Sequence, residues 1–416
     1  MSAVFPDGLI AIVKRDCPTC VLVVPVLNDL RGRGGEELTV ISQDDPDFPE
    51  GLGAVDDTGL DISLDFNLDT VPTLLRWRDG KEVQRLVGWK RTEWEAFTGE
   101  SNLGPALPPH RPGCGSRTQD PDFVKARADK AGAESLRSRR IELGAYEDDI
   151  EAAYSRGWTD GLPVVPPTPE RVARMLRGTN RDPSEVVAVM PPDLVECTVE
   201  KVAINAVLAG CQPDYLPVVL AAVEAAGTDT FNIHGVLATT MPVSPVVIVN
   251  GPIAQAIGMN SGGNAMGQGN RANAAIGRAL QLVIRNVGGG RPGGVDRATQ
   301  GQPGKYTFCF AENEDDSPWT PLHVARGFAP EQSTVTLFTG EGARVIIDQL
   351  SRTPESLVLS FAACLRAVAH PKLVIGIDAL LVVSPEHGRV FAEANWDRDR
   401  LMTELSAALE GPSDEL

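Results

Sequence analysis

The sequence predicts an α/β protein in which a small N-terminal domain is joined by a proline-rich linker to a larger mixed α/β domain. The chain has 416 residues, against about 150 for a typical single domain, which indicates two or three domains. Strand-length apolar runs alternate with helical stretches along most of the chain. After residue 103 four prolines fall close together and lead into a charged segment. We therefore place the domains at 1–103 and 144–416, with a linker at 104–143.

In the small domain the predicted order is strand, helix, strand, hairpin and helix. These elements are Leu9–Val13, Val21–Leu30, Leu38–Ser42, the pair Thr73–Trp77 and Val83–Val87 around Asp79–Gly80, and Glu93–Phe97. The larger domain mixes helices with apolar strands. The predicted helices are Val199–Ala209, Leu216–Ala226 and Ala272–Asn286, and the predicted strands are Val243–Val249, Thr334–Phe338, Leu373–Ile377 and Ala379–Val383.

Composition and charge exclude several classes of function. Hydrophobic residues make up 42% of the chain and charged residues 23%, which is typical of globular proteins. The net charge of −18 repels phosphate backbones and anionic membranes, so we expect neither nucleic acid nor membrane as a partner. The first residues lack a basic segment followed by an apolar one, and we expect a cytoplasmic protein. Seven cysteines in such a chain favour reactive or metal-binding thiols over structural disulfides.

Cys17 and Cys20 are separated by two residues, directly after the first strand and at the start of the first helix. Unpaired backbone N–H groups and the helix dipole stabilise a thiolate at such a position, so we expect a lowered pKa at Cys17. Cys20, one turn further, can attack a mixed disulfide formed by Cys17. Half of a zinc site is the alternative, but residues 1–100 contain no further cysteine and no histidine to complete it.

Two prolines support a redox interpretation of this pair. Pro25 lies inside the predicted helix, and Val71-Pro72-Thr73 precedes the hairpin. With Cys17-Pro18-Thr19-Cys20, these residues resemble the thioredoxin family over residues 5–100. The resemblance implies a thioredoxin fold and thiol–disulfide oxidoreductase activity, in which Cys17 attacks, Cys20 resolves and a cis-proline at Pro72 holds the substrate chain. It also implies an electron donor of the thioredoxin-reductase type. We expect no cofactor beyond the redox-active disulfide. A metal stays open as an alternative, but no motif in the sequence supports one.

The linker carries a cysteine of its own. Cys114 stands between two glycines, with Arg111 and Arg117 three residues away on either side. Nearby cations favour a thiolate, and glycines let another backbone approach closely. We therefore treat Cys114 as a candidate reactive thiol that shuttles between domains. The alternative is a loop thiol whose arginines face water.

A glycine- and asparagine-rich loop precedes the predicted helix Ala272–Asn286. A loop of this kind at a helix N-terminus can bind a carboxylate or phosphate through its backbone N–H groups. The alternative is a tight turn whose asparagines cap the helix. The candidate ligand-binding residues are Asn260, Gly262, Gly263, Asn264, Asn270 and Arg271, together with Lys305.

Two cysteines of the larger domain are candidate nucleophiles. Cys211 precedes what resembles a helix start, although it also fits a small buried residue at a helix turn. The segment 305–314 alternates in period two and is predicted to be a strand with Cys309 on its polar face. Glu312 and Glu314 follow and are candidate acid/base groups. A solvated turn after an edge strand is the alternative.

Residues 150–410 resemble a large domain of uncharacterised bacterial proteins, on the segments Gly157–Pro163 and Thr307–Glu314. The preferred hypothesis is a cysteine-dependent redox enzyme. Its N-terminal dithiol supplies reducing equivalents to the larger domain, which acts on a small-molecule substrate that is anionic or contains sulfur. The alternatives are a redox-sensing ligand-binding protein and a thiol-based metal-handling or carbon–sulfur bond enzyme.

Overall fold

The computed structural model of the protein describes residues 5–368 and 377–410. The chain divides into two compact units, Met1–Ala131 and Gly132–Leu416. Each unit has its own buried apolar core. Within the described residues, no helix is both long enough and apolar enough to cross a membrane.

The elements of the first unit confirm the predicted order. Its strands are β1 (Gly8–Val13), β2 (Leu38–Ser42), β3 (Val55–Asp56), β4 (Thr70–Val71), β5 (Thr73–Arg78), β6 (Lys81–Val87), β7 (Trp89–Lys90), β8 (His110–Arg111) and β9 (Cys114–Gly115). Its helices are α1 (Pro18–Gly32), α2 (Asp61–Asp65) and α3 (Arg91–Thr98), and α4 (Pro121–Glu134) follows.

A five-stranded mixed sheet in the order β3-β2-β1-β5-β6 forms the centre of the first unit. The central strand β1 runs parallel to β2 and antiparallel to β5. All six of its residues are buried, which explains why this strand is apolar throughout rather than alternating. β1 ends a few residues before α1 begins, so the edge of the sheet presents the Cys17–Cys20 segment.

Residues 103–119, most of them in the predicted linker, belong to the first unit and pack against the rest of it. The Trp89 indole N–H donates to the carbonyl of Pro108 at 2.7 Å, and the Arg91 guanidinium donates to the carbonyls of Leu103 and Gly104. Two short antiparallel pairs, β7 with β8 and β4 with β9, extend the attachment. A proline-rich segment has few N–H donors but keeps all its carbonyls, so it is well suited to accept these hydrogen bonds.

The second unit is an α/β structure. Its helices are α5 (Asp149–Ser155), α6 (Pro169–Leu176), α7 (Val199–Ala209), α8 (Leu216–Ala226), α9 (Ile233–Ala238), α10 (Pro252–Ala256), α11 (Arg271–Asn286), α12 (Leu322–Ala325), α13 (Pro354–Val368), α14 (Pro385–Glu393) and α15 (Arg398–Leu409). Its strands are β10 (Val186–Met190), β11 (Val195–Thr198), β12 (Ser244–Asn250), β13 (Cys309–Ala311) and β14 (Thr334–Gly340).

The three-stranded sheet β13-β12-β14 lies against the main core of this unit. β12 runs parallel to β13 and antiparallel to β14, and all its residues are buried. Helices α7, α8 and α11 supply most of the remaining core. The predicted helices Val199–Ala209 and Leu216–Ala226 are confirmed to the residue.

Two strand predictions in the second unit are wrong. The segment 305–314 forms a strand only at Cys309–Ala311, where it pairs with Val247–Val249 of β12, and Pro303–Lys305 forms a helical turn. Ala379–Val383 has no regular structure. The predicted strand Leu373–Ile377 lies, except for its last residue, outside the described residues.

A nearly buried ion pair fixes the turn at Gly157–Pro163. The Arg278 guanidinium meets Asp160 through two bonds of 2.8 Å, and its Nη2 also donates to the carbonyls of Leu162 and Pro163. Only 14% of the Arg278 side chain and 11% of the Asp160 side chain are exposed. Helix α11, which carries Arg278, is thereby tied to a segment more than 100 residues away in sequence.

Candidate active site

Cys17 occupies the N-cap position of α1. Its Sγ accepts a hydrogen bond from the backbone N–H of Cys20 at 3.3 Å. The pKa of Cys17 is lowered to about 5, chiefly by the hydrogen bond from the Cys20 thiol. Burial acts in the opposite direction, and the Cys114 thiol and the N–H groups of Cys20 and Thr19 add to the lowering. Cys17 is therefore a thiolate at neutral pH, as its position at a helix start predicts.

Cys20 is fully buried one turn further along α1. Burial raises its pKa strongly, and the hydrogen bond to the Cys17 thiolate raises it further. Cys20 therefore keeps its proton while Cys17 is ionised. This asymmetry suits a pair in which one sulfur attacks and the other waits.

Pro72 directly follows Val71, the residue of β4 that lies next to Cys17. The Val71–Pro72 peptide bond is cis, as the resemblance implies. The carbonyl oxygen of Val71 lies 3.6 Å from Cys17 Sγ. The two residues of β4 that precede Pro72 therefore form an edge directly beside the reactive sulfur.

Cys114 lies at the same place. In the antiparallel pair β4 with β9, it stands opposite Val71. Its thiol hydrogen bonds Cys17, and burial, followed by this bond, raises the pKa of Cys114 above its ordinary value. Its neighbours Arg111 and Arg117 do not produce the thiolate expected from the sequence. Three sulfurs, rather than two, meet at the start of α1.

Known proteins similar to this chain match its N-terminal part. It is 30% identical over 77 residues to the thioredoxins of Listeria monocytogenes and Listeria innocua, which covers 18% of this chain and 64% of each of them. The N-terminal region is thioredoxin-like. A thioredoxin of Mycolicibacterium smegmatis is 33% identical over 75 residues, or 18% of this chain and 58% of its own. The chain thus spans less than two thirds of the length of these relatives. No family model and no solved structure matches it.

The thiolate of the thioredoxin-like unit gives a direct prediction. In the fully reduced chain, the ultraviolet absorbance of thiolate should titrate with an apparent pKa of about 5, and the Cys17→Ser variant should lose that step. Cys20→Ala should move the midpoint upwards more than Cys114→Ala does, because the Cys20 thiol makes the larger contribution. Cys364→Ser serves as the control and should leave the midpoint unchanged. A midpoint near 9 in the unmodified chain would contradict the assignment.

The two candidate nucleophiles of the second unit lie in its core. Cys211 is 7% exposed, and burial raises its pKa to about 12. Cys309 is 5% exposed, and burial raises its pKa as well. The expectation that Cys309 faces solvent is wrong, because α11 covers that side of β13: a Cβ on Gly277 would lie 3.1 Å from Cys309 Cβ. Their surroundings disfavour the thiolate that a nucleophile needs.

Glu312 and Glu314 are brought together at the carboxyl ends of β12 and β13. The Asn250 side-chain amide donates to both, at 2.6 Å and 2.8 Å. His323, which is 1% exposed, places Nδ1 3.7 Å from Glu314. Both His323 ring nitrogens lack a hydrogen-bond partner among residues 5–368 and 377–410. Neither Asn250 nor His323 stands in a recognisable motif, so the sequence alone does not single them out.

The side chains of the glycine-rich loop are engaged with the loop itself and with α11. Asn270 caps α11 by accepting from the N–H of Asn273, and the Arg271 Nε donates to the carbonyl of Gly210. Asn260 and Asn264 bond loop carbonyls, at Gly263 and Gln268 respectively. These contacts are those of the capping turn considered as the alternative. Ligand binding by this loop, including Gly262 and Gly263, stays a prediction.

Lys305, the last candidate ligand-binding residue, is already engaged by neighbouring groups. The Lys305 ammonium lies 3.1 Å from Asp296 and donates to the carbonyl of Val243, so its charge is already paired. In the part of the chain that the structure describes, no group of three or more His, Cys, Asp or Glu side chains is placed to hold a metal ion.

Proposed function

We propose that the thioredoxin-like unit is a thiol–disulfide oxidoreductase in which Cys17 attacks and Cys20 resolves. The observation that carries the proposal is the contrast between the two sulfurs. The pKa of Cys17 is lowered to about 5, whereas that of the buried Cys20 is raised. A thiolate nucleophile beside a protonated resolving thiol is the arrangement that disulfide exchange requires.

The reaction proceeds in two exchanges. The Cys17 thiolate attacks one sulfur of a client disulfide, so that a mixed disulfide forms and the other client sulfur leaves as a thiolate. Cys20 then attacks Cys17 Sγ, and its proton passes to the second departing client thiolate. The client gains two electrons and the protein holds a Cys17–Cys20 disulfide. A thioredoxin-reductase-type donor returns the pair to the dithiol state.

Glutathione disulfide tests this function on the full chain. Under anaerobic conditions the reduced protein should release two glutathione molecules per chain and place Cys17 in an intrachain disulfide, as read by mass spectrometry after acid quenching. Catalytic turnover with NADPH and a thioredoxin reductase should follow. If Cys17 stays a free thiol in excess glutathione disulfide, the proposed function is wrong.

The proposal extends to the second unit, which would use these electrons. In that scheme the dithiol supplies reducing equivalents to a reaction of the larger unit on a small anionic or sulfur-containing molecule. Glu312, Glu314 and Asn250 are the polar groups that support such a reaction best, since they converge within hydrogen-bond distance. Continuous consumption of reductant in the presence of a substrate would separate this scheme from a redox sensor, which consumes reductant once per oxidation.

A further inference from the structure

Residues 108–116, which we call the strap, lie across the dithiol. At one end β8 pairs with β7, with Arg111 opposite Trp89. At the other end β9 pairs with β4, with Cys114 opposite Val71. Between them the Thr19 hydroxyl, from the Cys17–Cys20 turn, donates to the carbonyl of Pro112 at 2.7 Å. The strap is thus fastened to three separate elements around the reactive sulfur.

Two glycines allow the strap to approach this closely. A Cβ on Gly113 would lie 2.8 Å from the carbonyl oxygen of Val71 and 2.4 Å from the Thr70 side chain. Gly88 has φ +73°, and a Cβ there would lie 2.9 Å from the backbone nitrogen of Gly113. A side chain at either position would push the strap away from β4 and β7.

The strap occupies the edge of β4, which lies beside the dithiol. Pairing an extended segment with a free strand edge is a general way to bind a peptide, with the backbone supplying affinity and one side chain the specificity. Here the paired segment puts its cysteine opposite Val71, whose carbonyl lies 3.6 Å from Cys17 Sγ. The side chain at that position is itself a thiol, it packs against the core that contains Cys17, and it contributes to the lowered pKa of Cys17. Cys17 is completely buried beneath it.

We propose that Cys114 is a third redox-active cysteine, and that the strap is a built-in occupant of the dithiol's peptide-binding edge which exchanges disulfides with Cys17. The proposal rests on the proposed oxidoreductase function and names its first partner, a segment of the same chain. A client disulfide reaches Cys17 when the strap moves away from β4. When the strap pairs with β4 again, Cys114 exchanges with the disulfide at Cys17.

The exchange balances without an added oxidant. Starting from the Cys17–Cys20 disulfide, Cys114 sulfur attacks Cys17 Sγ, the Cys17–Cys114 bond forms and the Cys17–Cys20 bond breaks. Cys20 leaves as the other product, and the proton lost by Cys114 ends on Cys20. The oxidation level of the protein does not change.

The Cys20→Ser variant of the full chain tests the exchange with glutathione disulfide as the probe. The Cys17–glutathione mixed disulfide should form first. Cys114 should then attack Cys17 Sγ, release a second glutathione and leave a Cys17–Cys114 disulfide in most chains. The double variant Cys20→Ser/Cys114→Ser should keep glutathione on Cys17, and Cys20→Ser/Cys364→Ser should behave as Cys20→Ser does. Disulfide mapping of the acid-quenched, oxidised wild-type chain supplies the same readout without a substitution.

Two alanine variants test the docking of the strap. Gly113→Ala should raise the rate at which a maleimide labels Cys17 in the reduced chain by at least about tenfold, because the added Cβ holds the strap off β4. Gly115→Ala is the matched control, since a Cβ there has no described atom within 4 Å, and labelling should be unchanged. Equal rates in the two variants would overturn the docked strap.

The results separate the two proposals. If glutathione disulfide oxidises wild-type Cys17 but Cys17 pairs only with Cys20, and glutathione stays on Cys17 in Cys20→Ser, then Cys114 is not redox-active and the oxidoreductase function stands. If Cys17 does not react with glutathione disulfide in either chain, both proposals are wrong. A Cys17–Cys114 disulfide in Cys20→Ser and in the oxidised wild type supports both.

Discussion

Cys17→Ser is expected to slow the reduction of glutathione disulfide by at least about a thousandfold. The pKa of Cys17 is lowered to about 5, so that the sulfur is ionised at neutral pH, whereas a serine hydroxyl is not. Serine is close to cysteine in size and can still accept the N–H of Cys20, so the start of α1 should persist. The rate of glutathione release from the reduced full chain measures the effect.

Cys20→Ser is the matched comparison for this experiment. Its hydroxyl can replace the hydrogen bond that the Cys20 thiol gives to Cys17, so the attack step should stay within about tenfold of the wild-type rate. Resolution by Cys20 is lost in this variant, so a second glutathione should be released only through the attack of Cys114 on Cys17. If the Cys17→Ser chain kept about a tenth of the wild-type rate or more, another thiol would have to be the nucleophile.

The second large effect is expected at the ion pair between Asp160 and Arg278. Asp160→Asn should lower the free energy of unfolding of the second unit by about 3 kcal/mol or more, because it leaves the Arg278 cation nearly buried without its counter-charge. Burial opposes ionisation of Asp160, but the Arg278 hydrogen bonds and charge outweigh it and hold the pKa of this carboxyl below its ordinary value. The stabilisation is therefore present at neutral pH and is lost as pH falls through the lowered pKa.

Hydrogen exchange of peptides from α11, followed against denaturant, reports this change within the second unit. Glu386→Gln provides the control, because the Glu386–Arg389 pair is 3.9 Å apart and mostly exposed. It should change the free energy of unfolding by less than about 0.5 kcal/mol. Equal effects of the two substitutions would show that the Asp160 pair contributes no more than a surface contact.

Much of the fold could be predicted because its central elements have strong local signals. Leu9–Val13 is apolar at every position, as a strand covered on both faces requires, and it is confirmed as part of β1. The helix Leu216–Ala226 begins with a proline at its second position and is followed by Gly227. Such signals act within a few residues, so a single sequence can show them.

The wrong predictions concern features that depend on contacts between segments distant in sequence. The segment 305–314 alternates like a strand, but only Cys309–Ala311 pairs with β12, and Pro303–Lys305 forms a helical turn instead. Burial of Cys309 depends on the close approach of α11 at Gly277, which no local pattern shows. The candidates Cys17, Cys20 and Pro72, by contrast, could be named from the family resemblance. The place of Cys114 beside them could not, since it depends on a two-residue pairing between distant segments.

The sulfur of Cys17 also serves as the cap of α1, since it accepts the free backbone N–H of Cys20 in the first turn of the helix. A charged acceptor binds an N–H more strongly than a neutral one, so a thiolate caps this helix better than a sulfur that shares its electrons in a covalent bond. Each change of oxidation state at Cys17 is therefore also a change in the firmness of the first helical turn. The redox chemistry of Cys17 Sγ is therefore coupled to the stiffness of the first turn of α1.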